Sequence, residues 1–476
     1  MSIVAIDQGT TSTRALVLDE SGESRIVATI AHRQRYPRPG WVEHDPEELI
    51  DHIRLCIARC IDQRDEVSAI GFANQGESCL AWHADSKEAI TPVIVWQDSR
   101  GREAIEKLQS QGAQRTVAEK AGVPLDSYFS ASKLGWIVAQ VPAAKPLHRH
   151  GKLRLGTTDA FFLDRLTGRF ETDITTASRT SLLNLQTGQW DQELCDLFGV
   201  PLDALPRIVA STGDFGAFET DGKSIPVTAS IVDQQAALYG HGCRAPGDAK
   251  ITFGTGAFAL TLTAERPPRA TEQGLLSTVA WQFPGQAPAY ALEGGVHCAG
   301  AAINWGKSLG LFQSFDQINR FSQPSAAQRD LLFVPALSGL ACPHWDRRAA
   351  GMWIGLSLNT QPLDLIQSIL EGIAFRTGEV IGAMRAFAPV ENAISIDGGV
   401  SINPYFCQFL ANVLDAQVAV PERSELTAYG TAQLAGDDCI QPLVDLSTRR
   451  YEPAENMAPY VEKFTRAVER AAQWLP

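Results

Sequence analysis

A short apolar run, Ile3-Val4-Ala5-Ile6, gives way to the polar stretch Asp7-Gln8-Gly9-Thr10-Thr11-Ser12 and resumes as Ala15-Leu16-Val17-Leu18. Apolar runs of this length bounded by turn residues predict a strand hairpin with a hydroxyl-rich tip. Roughly half a chain later the arrangement recurs, as Lys250-Ile251-Thr252-Phe253, then Gly254-Thr255-Gly256, then Ala257-Phe258-Ala259-Leu260-Thr261-Leu262. A repeat at this separation predicts two related lobes facing each other across a site, over 1–244 and 245–476. The turn residues Tyr239-Gly240-His241-Gly242 and Ala245-Pro246-Gly247-Asp248 mark the junction and a candidate hinge.

Between and beyond the hairpins, helical and strand patterns alternate. Helices are predicted at 46–62, with Asp45 as N-cap and Pro46 in the first turn, and at 100–111; strands are predicted at 67–73 and 92–96. The second half predicts a long helix over 361–387, a strand at Ala393-Ile394-Ser395-Ile396, and helices near 403–414 and 427–436. Both lobes therefore read as mixed α/β. A length of 476 residues, 45% of them hydrophobic, supplies apolar side chains for more than one core.

Composition narrows the function. A net charge of -13 with no basic cluster argues against a nucleic-acid partner, whose phosphate backbone demands a basic face. No apolar stretch approaches the roughly 20 residues of a membrane span, and the start lacks the basic region of a signal peptide. The nine cysteines are an odd number without a C-x-x-C pair, which reads as reduced thiols in a cytoplasmic protein. Cys56 and Cys60, one helical turn apart, read as buried packing.

The two hairpin tips carry the candidate chemistry. Glycine lets backbone N–H groups approach a phosphate, and threonine and serine hydroxyls add uncharged donors. Asp7, at the end of the first strand, is placed to hold magnesium through water. In Ser395-Ile396-Asp397-Gly398-Gly399-Val400-Ser401-Ile402-Asn403-Pro404 a strand ends in paired glycines and a helix begins, so the backbone can lie flat against a planar or phosphorylated ligand. Ala301-Ala302-Ile303-Asn304-Trp305-Gly306-Lys307-Ser308 approximates a P-loop, but it begins with alanine and follows what reads as a helix start, and we set it aside.

Asp7-Gln8-Gly9-Thr10-Thr11-Ser12-Thr13-Arg14 resembles the first phosphate segment of the FGGY carbohydrate kinases, the glycerol kinases in particular. Further stations follow in order: Tyr36 to Pro46, Val95-Trp96-Gln97, Tyr128-Phe129-Ser130, Ala177-Ser178-Arg179-Thr180, Asp233-Gln234-Gln235-Ala236-Ala237, Phe253-Gly254-Thr255-Gly256, Gly351 through Glu371, and Asp397-Gly398-Gly399. The resemblance implies a two-lobed actin-like ATPase fold of the ribonuclease H-like kind, with duplicated α/β domains and a central cleft. It implies ATP and magnesium as cofactors, a small polyol or open-chain sugar as acceptor, and a homodimer or homotetramer as the assembly. Thr10, Thr11, Ser12 and Arg14 would approach the phosphates, with Thr255 opposite and Gly300, Asn304, Gly399 and Asn403 around the rest of the nucleotide. Asn304 stands where the glycerol kinases carry glutamine. Asp233 would be the catalytic base, ionised at neutral pH at the ordinary aspartate value near 3.9 and doubling as a helix N-cap, with Asp7 as the metal carboxylate.

Trp96, Tyr128, Gln234 and Phe258 resemble acceptor-pocket residues, with Glu77 as a hydroxyl partner. The family's Asn-Gln-Arg-Glu is here Asn74-Gln75-Gly76-Glu77. Losing that arginine removes a charged hydrogen bond of roughly 1.5–3 kcal/mol, and two consequences are open. Gly76 enlarges the pocket for an acceptor longer than glycerol, or Arg14, Arg100 or Arg179 reaches in and glycerol remains the substrate. The stretch 218–226 is shorter than the loop with which bacterial glycerol kinases bind a feedback sugar bisphosphate, which implies that this regulation is lost. An actin-like ATPase switch or a silent sugar sensor is the alternative from another class; Trp96, Tyr128 and Asp233-Gln234 together favour an acceptor pocket and hence a kinase.

Overall fold

The computed structural model describes residues 2–62, 66–220, 222–264, 269–390, 392–436 and 448–475. The first half is organised on the strands β1 (Ser2–Gln8), β2 (Ser12–Asp19) and β3 (Ser24–Ala31), helix α1 (Pro46–Asp62), strands β4 (Val67–Asn74), β5 (Ala217–Thr220) and β6 (Lys223–Val232), and helix α2 (Asp233–Gly240). The second half runs through β7 (Ala249–Phe253), β8 (Ala257–Leu262), β9 (Leu276–Trp281), β10 (Ala289–Val296), α3 (Gly300–Ser308), α4 (Pro362–Arg385), β11 (Ile394–Gly398), α5 (Pro404–Leu414), β12 (Val418–Pro421), α6 (Leu426–Gly436) and β13 (Thr448–Tyr451).

The alternation of side chains explains why the central strands are apolar throughout. Val4 and Ile6 of β1 pack into one core with the Leu49, Ile50, Ile53, Cys56, Ile57 and Cys60 stripe of α1, while Ile3 and Ala5 point into another core on the opposite face. Both cysteines are fully buried, as expected. Helix α1 starts where predicted, with Pro46 in its first turn and Asp45 Oδ1 accepting the Glu47 N–H at 3.0 Å. The predicted strand at 92–96 is shorter, Val93–Ile94, and the helix predicted over 100–111 spans Arg102–Ser110.

The sheets repeat one another. The first has the order β5-β6-β4-β1-β2-β3, the second β9-β10-β8-β7-β11-β12-β13. In each, an antiparallel hairpin (β1–β2, β7–β8) is followed on the inner side by two parallel neighbours (β4 and β6; β11 and β12). An antiparallel strand closes each edge beyond them, β5 or β13. Helix α2 follows β6 as α6 follows β12. The two glycine-threonine turns are thus topological equivalents.

The halves are joined through α2 and α6. An added Cβ on Gly430 of α6 would lie 2.1 Å from the Ala236 carbonyl oxygen, and one on Gly240 of α2 would lie 2.1 Å from that of Leu426. Helix α6 also packs on β1 and β4, so Leu426, Tyr429 and Ala432 share a core with Ile3, Ala5 and Leu16. No helix among the described residues is long and apolar enough to cross a membrane. Gly430→Ala is expected to lower unfolding stability by about 1–3 kcal/mol, because backbone opposes the new methyl. Gly382→Ala, in α4 with open space at Cβ, is expected to be neutral or to stabilise by up to about 1 kcal/mol; calorimetric melting of both variants checks the contrast.

Candidate active site

Each hairpin tip borders a cavity. Gly9 N–H donates to the Ser12 carbonyl at 3.0 Å, closing a tip in which Thr11 is exposed. In the second hairpin, the Gly254 carbonyl accepts from Gly300 N at 3.0 Å and the Thr255 carbonyl from Ala301 N at 3.0 Å, which seats the start of α3 on the turn. Gly300 permits this approach, since a Cβ there would sit 2.6 Å from the Gly254 oxygen. Gly398 adopts φ 90° where it crosses Phe253, a conformation and a contact that only glycine accommodates.

The second hairpin tip, the start of α3 and the turn after β11 line a largely apolar cavity of about 490 Å³. It contains Thr255, expected opposite the first hairpin, and the four residues expected around the rest of the nucleotide, Gly300, Asn304, Gly399 and Asn403; Thr10, Thr11, Ser12 and Arg14 are not in its lining. Phe315, Ile318, Asn319 and Ile402 are also in its walls. Sequence reasoning missed these because they are ordinary apolar and polar residues of connecting segments. Asn403 spends its side chain on structure, capping α5 through Phe406 N (2.8 Å) and donating to the Ile318 carbonyl (2.8 Å), so it shapes the wall.

A second cavity, of about 160 Å³, is lined by Thr10, Gly76, Glu77, Trp96, Tyr128, Asp233, Gln234 and Phe258, all of the expected acceptor residues together with one threonine of the first hairpin. Arg179, Val232 and Gln235 complete it. Trp96 stands edge-on to Tyr128, with ring centroids 5.6 Å apart, and its indole N–H donates to Thr10 Oγ1 at 3.0 Å, linking the pocket wall to the first hairpin. Buried Lys133 donates to the carbonyls of Ser127, Tyr128 and Phe129 and so fixes the Tyr128 loop.

Of the three arginines considered for the place vacated at Gly76, Arg179 is the one at the cavity. Its Nε donates to Glu77 Oε1 at 2.5 Å, whereas Arg100 pairs with Asp98 and Glu43 and stacks over Trp41. Arg14, expected at the phosphates, pairs with Glu425 at the start of α6. The volume lost at Gly76 is partly reclaimed, for an added Cβ would meet Val232 Cγ2 at 3.0 Å.

The N-terminal domain of the FGGY family of carbohydrate kinases matches residues 2–240, and its C-terminal domain matches residues 249–437. The chain belongs to the FGGY family of carbohydrate kinases. It is 40% identical to a glycerol kinase of Citrifermentans bemidjiense over 91% of this chain and 89% of that one. Identity to a glycerol kinase of Chromobacterium violaceum is 36%, over 99% and 98% of the two chains. Among solved structures, glycerol kinase of Plasmodium falciparum with ADP superposes with a TM-score of 0.90 at 28% identity, covering 99% of this chain and 98% of that one. This FGGY protein therefore has the two-lobed actin-like fold and is an ATP-dependent kinase of a small polyol or sugar.

The electrostatics of the kinase site depart from the sequence expectation. Asp233 does not hold the ordinary aspartate value; burial, and then the charge of Asp7, push its pKa to about 7. Nor is Asp233 the N-cap of α2: Val232 precedes it, and Asp233 is the first helical residue, its Oδ1 accepting the Gln234 N–H at 2.7 Å. Burial likewise pushes Asp7 to about 6 and Glu77 to about 7. Buried Lys250, which sequence reasoning passed over as a strand residue, donates to Gln234 Oε1 at 2.6 Å and Thr252 Oγ1 at 3.0 Å, and its charge opposes the rise at Asp233. If Asp233 must be ionised to accept a proton, kcat/KM for the acceptor is expected to fall about tenfold per pH unit below about pH 7. A pH–rate profile flat to about pH 5 would show that another group governs the step.

Proposed function

We propose that the protein transfers the γ-phosphoryl group of ATP to a hydroxyl of a three- or four-carbon polyol or the corresponding open-chain keto-sugar, with Asp233 accepting the hydroxyl proton. The observation that carries this reading is the joint lining of one small cavity by Asp233 and by Thr10 of the first hairpin. A hydroxyl held there faces a carboxylate on one side and the phosphate hairpin on the other, the arrangement that in-line phosphoryl transfer requires. At about 160 Å³ the cavity has about a third of the volume of the 490 Å³ one beside the second hairpin, which suits a short open-chain acceptor. Glycerol, the acceptor in the names of the relatives, belongs to that class.

The nucleotide base and ribose occupy the 490 Å³ cavity, and the phosphates run from Thr255 to the Gly9-Thr10-Thr11-Ser12 tip. The donor set around Asp7 fits magnesium. Asp7 and Asp233 are both buried carboxylates, the charge of Asp7 raises Asp233, and the nearby cations are already engaged: Arg14 by Glu425, Lys250 by Gln234, and Arg179 by Glu77. No cluster of three or more His, Cys, Asp or Glu forms a metal nest among the described residues. Asp7 would accordingly hold the ion through water. When bound, magnesium would supply charge neutralisation for the phosphoryl group; Asp233 orients the hydroxyl and takes its proton late, and Trp96, Tyr128 and Phe258 exclude water.

Three measurements test this. ADP release from Mg-ATP is expected to rise when short polyols are added; turnover indifferent to every polyol and sugar would favour the ATPase-switch reading. Asp233→Asn is expected to lower kcat about 10²- to 10⁴-fold while ATP still binds, and near wild-type turnover would remove Asp233 from the mechanism. At Gly399 an added Cβ meets nothing within 4 Å. Gly399→Val is therefore expected to fold normally but to intrude on the nucleotide, costing about 1–3 kcal/mol and raising the Kd for ATP about tenfold or more; unchanged ATP affinity in calorimetry would place the nucleotide elsewhere.

A further inference from the structure

We infer that Lys250 is a positioning residue for the acceptor: reaching across from the second lobe, its ammonium takes the side-chain oxygen of Gln234 and leaves the amide N–H groups as the free end at the acceptor cavity. The inference rests on the acceptor-site reading above and specifies what that end recognises, an acceptor oxygen that offers a lone pair.

Lys250 is the second residue of β7, the strand that runs into the Gly254-Thr255-Gly256 turn, and it is fully buried. Its Nζ donates to Gln234 Oε1 at 2.6 Å and to Thr252 Oγ1 at 3.0 Å, both neutral oxygens. Burying a charge costs more than two such bonds return, so an apolar side chain would fill this strand position at less expense. Burial lowers the pKa of Lys250, while the carboxylates of Asp397, Asp233 and Glu293, and the Cys243 thiol, favour its charged form. What the lysine adds is direction.

The two ends of a glutamine amide have nearly the same shape and opposite hydrogen-bonding character. An ammonium carries three donors and no acceptor, so the atom it meets is the amide oxygen, and the amide is held against turning over. Gln234 is the second residue of α2 and directly follows Asp233, whose Oδ1 accepts the Gln234 backbone N–H at 2.7 Å. Gln234 lines the acceptor cavity, where its Nε2 donates to none of the described residues and is not among the buried atoms sealed from the surface. Two N–H donors thus remain available beside a carboxylate that accepts. A molecule bound there supplies a lone pair to Gln234 and a proton to Asp233, a demand that neighbouring hydroxyls meet because each is both donor and acceptor. Lys250 stands in one lobe and Gln234 in the other, so this orientation is set only where the lobes meet.

A double-mutant cycle tests this role. It measures kcat and KM for the wild type's best acceptor among short polyols and keto-sugars, and KM for ATP, in the wild type, Lys250→Met, Gln234→Leu and the combination. Asp233 faces Asp7, Lys250 and Arg179, and removing the Lys250 charge raises its value above about 7, which alone slows the reaction near neutrality. The cycle is therefore run at about pH 9, where that carboxylate is ionised. Each single variant is expected to lower kcat/KM for the acceptor about 2- to 10-fold, carried by KM, with KM for ATP unchanged. The combination is expected to lose no more than the worse single variant, because Lys250 acts through Gln234. Losses that multiply, as a lysine that merely supports the strand predicts, or no loss in Lys250→Met, would overturn the inference. If Lys250→Met does not melt cooperatively, Thr252→Val decides, since it keeps the cation and removes its second partner. That variant is expected to raise the acceptor KM about 2- to 3-fold in the wild type and not in Gln234→Leu; the same rise in both backgrounds, or none in either, overturns the role. If the wild type phosphorylates no polyol or sugar, the acceptor-site reading falls and this role with it; if it does and the losses multiply, only the role of Lys250 falls.

Discussion

Helices α2 and α6 cross so closely that neither Gly240 nor Gly430 has room for a methyl group, and the geometry of the site depends on that contact. Asp233 is the first residue of α2, and Glu425, which engages Arg14, immediately precedes α6. Fixing one helix against the other therefore fixes Asp233 relative to the first hairpin. Glycine is required here for proximity rather than for an unusual dihedral angle, since two helix backbones approach this closely only where side chains are absent.

The polar and charged groups between the lobes form two buried sets. Glu77, Arg179 and Glu293 make one buried chain across the two sheets; Gln234, Lys250 and Thr252 make another beside Asp233. Burying charges is expensive, and such networks add little net stability compared with apolar packing. Their value here lies in position, because the chain through Arg179 ties the smaller cavity to Glu293 of the opposite half, and Lys250 of that half holds Gln234. The raised carboxylate values at Asp7, Glu77 and Asp233 are the electrostatic consequence of gathering acids where water is scarce.

Much of this architecture is legible in the amino-acid sequence. The hairpins at Gly9 and Gly254, the α1 stripe and the Gly398-Gly399 turn are written in local patterns that hydrophobic periodicity and turn chemistry decode directly. Every residue expected in the acceptor pocket lines the same cavity. Arg179 is one of several arginines able to fill the place at Gly76 as far as the sequence goes, because reach across a cavity depends on packing that sequence spacing does not encode. Gln235 stands inside the Asp233-to-Ala237 station with no role of its own assigned there, and Lys250, Phe315 and Glu293 give no signal, being unexceptional residues within two strands and a connecting segment.

The sequence by itself determined the repeated strand-turn-strand units, the identity of the proposed base and the loss of arginine at position 76, since each is a local or motif-level property. Only the tertiary structure decided which charges meet. It put Val232 against Gly76, Glu425 on Arg14 and Glu293 on Arg179, and it moved Asp233 from an ordinary carboxylate to one that titrates near neutrality. The physical reason is that desolvation and ion pairing act through space between residues far apart in the chain, and they take their values only when the two lobes close around the same small volume.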